Sequence, residues 1–102
     1  MVIVLATIEL AEGRRDDFLA EFHQVVPLVR AEKGCVEYGP AVDAVTDIEK
    51  QAPLRDNTVV VVERWESLEA LNAHLVAPHM GSYRERVKDL VVGMNLQVLE
   101  PA

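Results

Sequence analysis

Three nitrogen-bearing rings fall close together in this chain: Trp65, His74 and His79. Imidazole is the side chain that gives and takes protons near neutral pH without help. Indole offers a wide apolar face and one N–H donor. Together they suggest a site that binds a ring and moves a proton. Each also has a plainer reading. Trp65 suits a core anchor, and His74 suits a half-exposed flank of the stripe made by Leu68, Leu71 and Leu75. His79 follows Pro78, and near a helix N-terminus neutral imidazole is favoured over its cation; it also suits an exposed cap. His23 reads as solvated. A His74–His79 metal pair lacks a third ligand in the sequence. Cys35 has no basic neighbour and reads as a small apolar residue. The glycines are scattered, so no phosphate loop is present, and no carboxylate pair has a spacing that marks an acid/base couple.

The elements that must position these rings follow from periodicity. Val2–Leu10 is short and β-branched, a strand. After Gly13, Asp16 and Asp17 suit the first turn of a helix. Phe18, Phe22, Val25, Val26 and Val29 make its buried stripe, and Gly34 stops it. Pro27 predicts a kink. Cys35–Val45 is a second strand, and Thr46–Asn57 a long polar loop. Thr58–Glu66 carries four consecutive valines, which predicts a central strand covered on both faces. Its alternation sets Val59, Val61, Glu63 and Trp65 on one face. Ser67 caps a helix over Leu68–Val76. Pro78 opens another over about His79–Leu90. Gly93 resets the chain before a last strand, Met94–Glu100.

The order β-α-β-β-α-β, with the second helix split, is the ferredoxin-like α+β pattern: a four-stranded antiparallel sheet with helices on one face. Ile3 and Leu5 point opposite to Val4, Ala6 and Ile8, so both faces are apolar. The uncovered face predicts a homodimer packed sheet against sheet.

The chain has 102 residues, half of them apolar, which predicts one domain over 1–102. A net charge of -7 argues against nucleic acid and anionic membranes as partners. No apolar run approaches a membrane span. A single cysteine and the absence of a secretory pattern give a cytoplasmic expectation.

The segment Arg64-Trp65-Glu66-Ser67-Leu68-Glu69-Ala70-Leu71, followed by His74 and Pro78-His79, resembles the signature of antibiotic biosynthesis monooxygenase domains. Gly34-Cys35-Val36-Glu37-Tyr38, after a helix ending Arg30-Ala31-Glu32-Lys33, resembles their second-strand entry. The resemblance implies a dimeric α/β barrel with a pocket between sheet and helices. It implies oxidation of a small quinol or phenolic aromatic by O₂, with no flavin, metal or other cofactor. In that chemistry Trp65 would stack on the substrate, His74 or His79 would act as base, and Arg84 would stabilise the developing anion.

The sequence departs from two branches of the family. Anthrone oxygenases place an asparagine and a tyrosine where this chain has Val61 and Leu71, so the substrate pocket is expected to be more apolar. Haem-degrading members place an asparagine at Ala6 and their iron-ligating histidine later than His74, which disfavours haem. An isomerase or lyase on the same scaffold, or a non-catalytic dimeric binding module, are the competing readings.

Overall fold

The computed structural model describes residues 1–102. Its elements are β1 (Val2–Leu10), α1 (Arg15–Arg30), β2 (Cys35–Ala41), β3 (Thr58–Trp65), α2 (Leu68–Leu75), α3 (Pro78–Val87) and β4 (Val91–Leu99). The strands form one antiparallel sheet in the order β2-β3-β1-β4. This is the ferredoxin-like α+β arrangement the pattern predicts.

Alternation decides the core. Val2, Val4, Ala6, Ile8 and Leu10 are buried under the helices together with Val59, Val61 and Trp65. Register pairs Val2 with Trp65, Val4 with Glu63 and Ala6 with Val61. Phe18, Phe22, Val25, Val26 and Val29 close the core from α1. The opposite sheet face carries Ile3, Leu5, Val60, Val62 and Leu99, all partly exposed in the single chain. On β4 the helix-side residues are also open: Met94, Leu96 and Val98 pair with Ile8, Ala6 and Val4, but the helices do not reach that edge.

Two strand boundaries differ from the sequence reading, while Pro27 stands inside α1 as that reading has it. This proline cannot donate to the His23 carbonyl, but both residues are exposed, which leaves that carbonyl open to solvent. β2 stops at Ala41, not Val45, because Asp43 turns away to clasp Arg55. Arg55 donates to Asp43 from Nε at 2.9 Å and Nη2 at 2.8 Å, and that guanidinium holds the Asp43 carboxyl down to about 2. Gly93 does not break the chain. It lies inside β4, beside a register shift at Glu9/Leu10, so the strand starts at Val91.

Gly34 joins two parts of the frame. Its φ is +85°, a left-handed turn that ends the α1 connection, and its carbonyl accepts from Glu66 N at 2.8 Å. A Cβ at this position would meet Ala70 Cβ at 2.6 Å. Gly34→Ala is therefore expected to lower stability by more than about 1 kcal/mol, read as a drop in the urea midpoint.

Candidate functional site

A cavity of about 380 Å³ opens between the sheet, α1 and α3 on the β4 side. Its volume suits a small ligand. Sixteen residues line it and twelve are hydrophobic, among them Ala6, Val61, Phe22, Tyr38, Tyr83 and Leu96. The remaining four are Glu63, His74, Arg84 and Lys88.

Glu63 is on the wall because strand alternation gives it no alternative. Val61 and Trp65 point into the core from the same face, and Glu63 lies between them. Its side chain is 7% exposed. Burial pushes its carboxyl up to about 7, and the nearby Glu32 charge adds to that rise. The Trp65 Nε1–H donates to Glu63 Oε1 at 2.9 Å, which favours the ionised form and works against the rise. A group poised at this value is both acid and base at neutral pH.

His74 sits on the last turn of α2, whose start is fixed by Ser67 Oγ accepting from Ala70 N at 3.1 Å. It is 2% exposed, not a half-exposed flank, because Trp65 and Tyr38 pack around its ring. The Trp65 and His74 rings lie 4.6 Å apart, tilted by 32°. Desolvation lowers the His74 pKa, although a hydrogen bond to Glu32 opposes it. The ring is thus neutral at neutral pH. Its Nδ1 lies 2.9 Å from Glu32 Oε2. An ionised carboxylate only accepts, so Nδ1 carries the hydrogen and Nε2 presents a lone pair. Nε2 is 4.0 Å from Glu63 Oε1. His79 approaches from the first turn of α3, with Nε2 2.8 Å from the same Glu32 oxygen. No set of three or more His, Cys, Asp or Glu side chains is placed to hold a metal ion.

The sequence-predicted site residues therefore divide. His74, Val61 and Arg84 line the cavity. Arg84 is exposed at its edge and donates from Nη2 to the Leu75 carbonyl at 2.8 Å. Trp65, Leu71 and His79 do not line it. Trp65 is fully buried behind His74, so its face meets the imidazole and not a ligand. Leu71 is a core residue at 2% exposure. His79 meets Glu32 and is not part of the cavity wall. Glu63, Glu32 and the two tyrosines are additions. Alternation already placed Glu63 on the Trp65 face, but nothing in the spacing marks Glu32.

Residues 1–86 match the profile of the antibiotic biosynthesis monooxygenase family. The chain belongs to the antibiotic biosynthesis monooxygenase family. It is 40% identical over 103 residues to the Escherichia coli K12 protein called probable quinol monooxygenase YgiN, covering 99% of this chain and 98% of that relative. Among solved structures, Rv0793 from Mycobacterium tuberculosis matches with a TM-score of 0.80 and 28% identity, over 99% of this chain and 94% of that one. PA3566 from Pseudomonas aeruginosa shares the fold, with a TM-score of 0.81 at 22% identity over 99% and 93% of the two chains. For an antibiotic biosynthesis monooxygenase domain, the feature to explain is then an apolar cavity that ends on a carboxyl–imidazole pair.

Proposed function

We propose that this protein is a cofactor-independent monooxygenase that oxidises a small quinol or phenolic aromatic with O₂. The observation that carries the reading is the Glu63–His74 pair at the wall of an otherwise apolar cavity. The name carried by the Escherichia coli relative supports the quinol class.

The chemistry asks little beyond this pair. The aromatic ring of the substrate lies against the apolar wall. Glu63, backed by His74, takes a proton from the ring hydroxyl. The resulting anion is electron-rich and reduces O₂, and recombination forms a carbon–oxygen bond as a ring hydroperoxide. A proton reaches the distal oxygen, the oxygenated carbon gives up its C–H proton as its second C–O bond forms, and the O–O bond breaks, so that the distal oxygen leaves with both protons as water. One oxygen atom stays on the ring, which ends as a hydroxyquinone, and the substrate supplies every electron. The cavity's role is to keep the anion and the peroxide from bulk water. Arg84, at the edge, offers a positive charge to the developing anion.

The test is oxygen uptake with a panel of quinols, comparing the native chain with His74→Ala. Uptake by the native chain and a fall of about 100-fold in the variant is expected. No uptake on any quinol, or equal rates, defeats the reading.

We infer also that two copies pack through the face carrying Ile3, Leu5, Val60 and Val62. These apolar side chains are only partly covered in the single chain. Light scattering at micromolar concentration is expected to give twice the mass of the chain. A monomer mass refutes the packing.

A further inference from the structure

Glu32 has a placement that the oxidation as described does not use. One of its oxygens, Oε2, is shared by His74 Nδ1 at 2.9 Å and His79 Nε2 at 2.8 Å. On the other side of the His74 ring, Nε2 faces Glu63 Oε1 at 4.0 Å. These contacts link the four groups one to the next, starting from Glu63 at the cavity wall. Exposure rises along the last three: the side chains of His74, Glu32 and His79 are 2%, 14% and 25% exposed. We propose that Glu63, His74, Glu32 and His79 are a proton relay joining the cavity to solvent behind it.

The need for such a path follows from the cavity. Glu63 is almost fully covered, and a bound aromatic would exclude water from its open side. Its proton then has no direct way out. The relay supplies one through the opposite wall. The proposal takes its substrate from the functional reading above, while the path itself rests on geometry.

The proton count closes over a turnover. Glu63 receives the substrate proton and passes it to His74 Nε2. His74 releases its Nδ1 hydrogen to Glu32; His79, in the tautomer with its hydrogen on Nδ1, takes a proton from Glu32 at Nε2 and releases the Nδ1 hydrogen to water. When the peroxide O–O bond breaks, the departing oxygen needs a proton. The same path run backwards delivers it and restores the Nδ1–H tautomer of His74. No net proton is gained or lost: the water carries away the proton from the ring hydroxyl and the one from the ring C–H at the carbon that is oxygenated.

The groups that face this relay favour brief transit over storage. Burial first, and then His79 and Arg84 on α3, disfavour a lasting imidazolium at His74, against the pull of Glu32. Tyr38 on β2 packs edge-on against His74, and burial pushes its hydroxyl up, so it remains a neutral phenol. Cys35, also on β2, is pushed up by burial and by the Glu32 and Glu63 charges, and it stays a thiol. Trp65 holds Glu63 Oε1 on the side facing His74. The 4.0 Å gap between Glu63 and His74 is of the kind that tightens when substrate displaces loose geometry.

Glu32 and His79 are positioning and relay residues, since neither touches the cavity. The test uses Glu32→Gln and His79→Ala in the full chain. Glu32→Gln is expected to lower kcat for quinol-dependent oxygen uptake on the order of 100-fold, with KM unchanged. His79→Ala is expected to lower it by about tenfold, with imidazole added to the buffer restoring the loss. The exposed His23→Ala serves as control and should match the native chain. Native kcat in both relay variants overturns the proposal. If Glu32→Gln fails to fold, the partly exposed His79→Ala and its imidazole rescue decide.

A second readout needs no turnover. In nitrogen-15 NMR, titrating His79 should move the His74 ring nitrogens in the native chain and not in Glu32→Gln. The same His74 response in both proteins overturns the relay. If no quinol supports uptake by the native chain, the functional reading fails, and the NMR result alone decides the relay.

Discussion

Glu63→Gln is expected to abolish most of the oxygenase activity and, above neutral pH, to make the protein more stable. The amide keeps the oxygen that accepts from Trp65 Nε1–H but cannot take a proton. A loss on the order of 100-fold or more in kcat/KM follows, along with the pH limb that Glu63 sets near 7. In the native chain activity should rise through that pH, because the base must be ionised.

The stability effect has a definite sign. The Glu63 carboxyl has a folded pKa of about 7 against an ordinary value of 4.5. Between these values the folded chain binds more protons than the unfolded one, so stability falls as pH rises through the window. The whole window corresponds to about 3 kcal/mol. His74, depressed by burial, acts in the opposite direction just below its ordinary value, so the comparison must be variant against native chain. Urea unfolding at pH 4 should find the two close. At pH 8 the variant should be the more stable by about 3 kcal/mol. A difference that does not change with pH would mean that Glu63 is not a buried acid.

The second large effect is at Trp65. This residue is fully buried and touches both His74 and Tyr38. Trp65→Ala should cost about 3–5 kcal/mol, a large part of what a domain of this size has. Its urea midpoint should fall sharply. Trp65→Phe separates packing from chemistry. It keeps most of the volume but removes the N–H that favours ionised Glu63. The Glu63 pKa should then rise further, and the limb of the kcat/KM profile should move to higher pH. An unmoved limb would leave Trp65 with packing alone.

These residues also show what the sequence discloses and what it withholds. The run of valines in β3, the Ser67 cap and the Gly34 stop all act through near neighbours, so the elements they define are legible by spacing. The fold class follows from their order. Gly93 misleads because a glycine that breaks a strand and one that eases a bulge look the same in one dimension. The wall position of His74 is legible through the motif it shares with the family, and that of Val61 through strand alternation and a family site from which the chain departs. Glu63 is visible by alternation, but its poise near 7 is not. That value is produced by burial beside Tyr38 of β2 and by the Glu32 charge, and both lie far away in sequence. Glu32 is the extreme case: it sits 42 residues from His74 and 47 from His79, and only the folded sheet brings them to one oxygen. Trp65 carries the family mark yet faces an imidazole, because a motif fixes which residue is present and not which neighbour its ring meets.

The β4 edge separates two demands on the chain. Met94 and Leu96 line the cavity, yet they are 64% and 39% exposed and add little to the core. Residues in that position are free to vary in size without a folding penalty. The acid–base line lies on the other side of the cavity, inside the packed frame. Substrate range can therefore drift at β4 while the proton chemistry stays fixed. A library over Met94 and Leu96 is the place to seek new substrates.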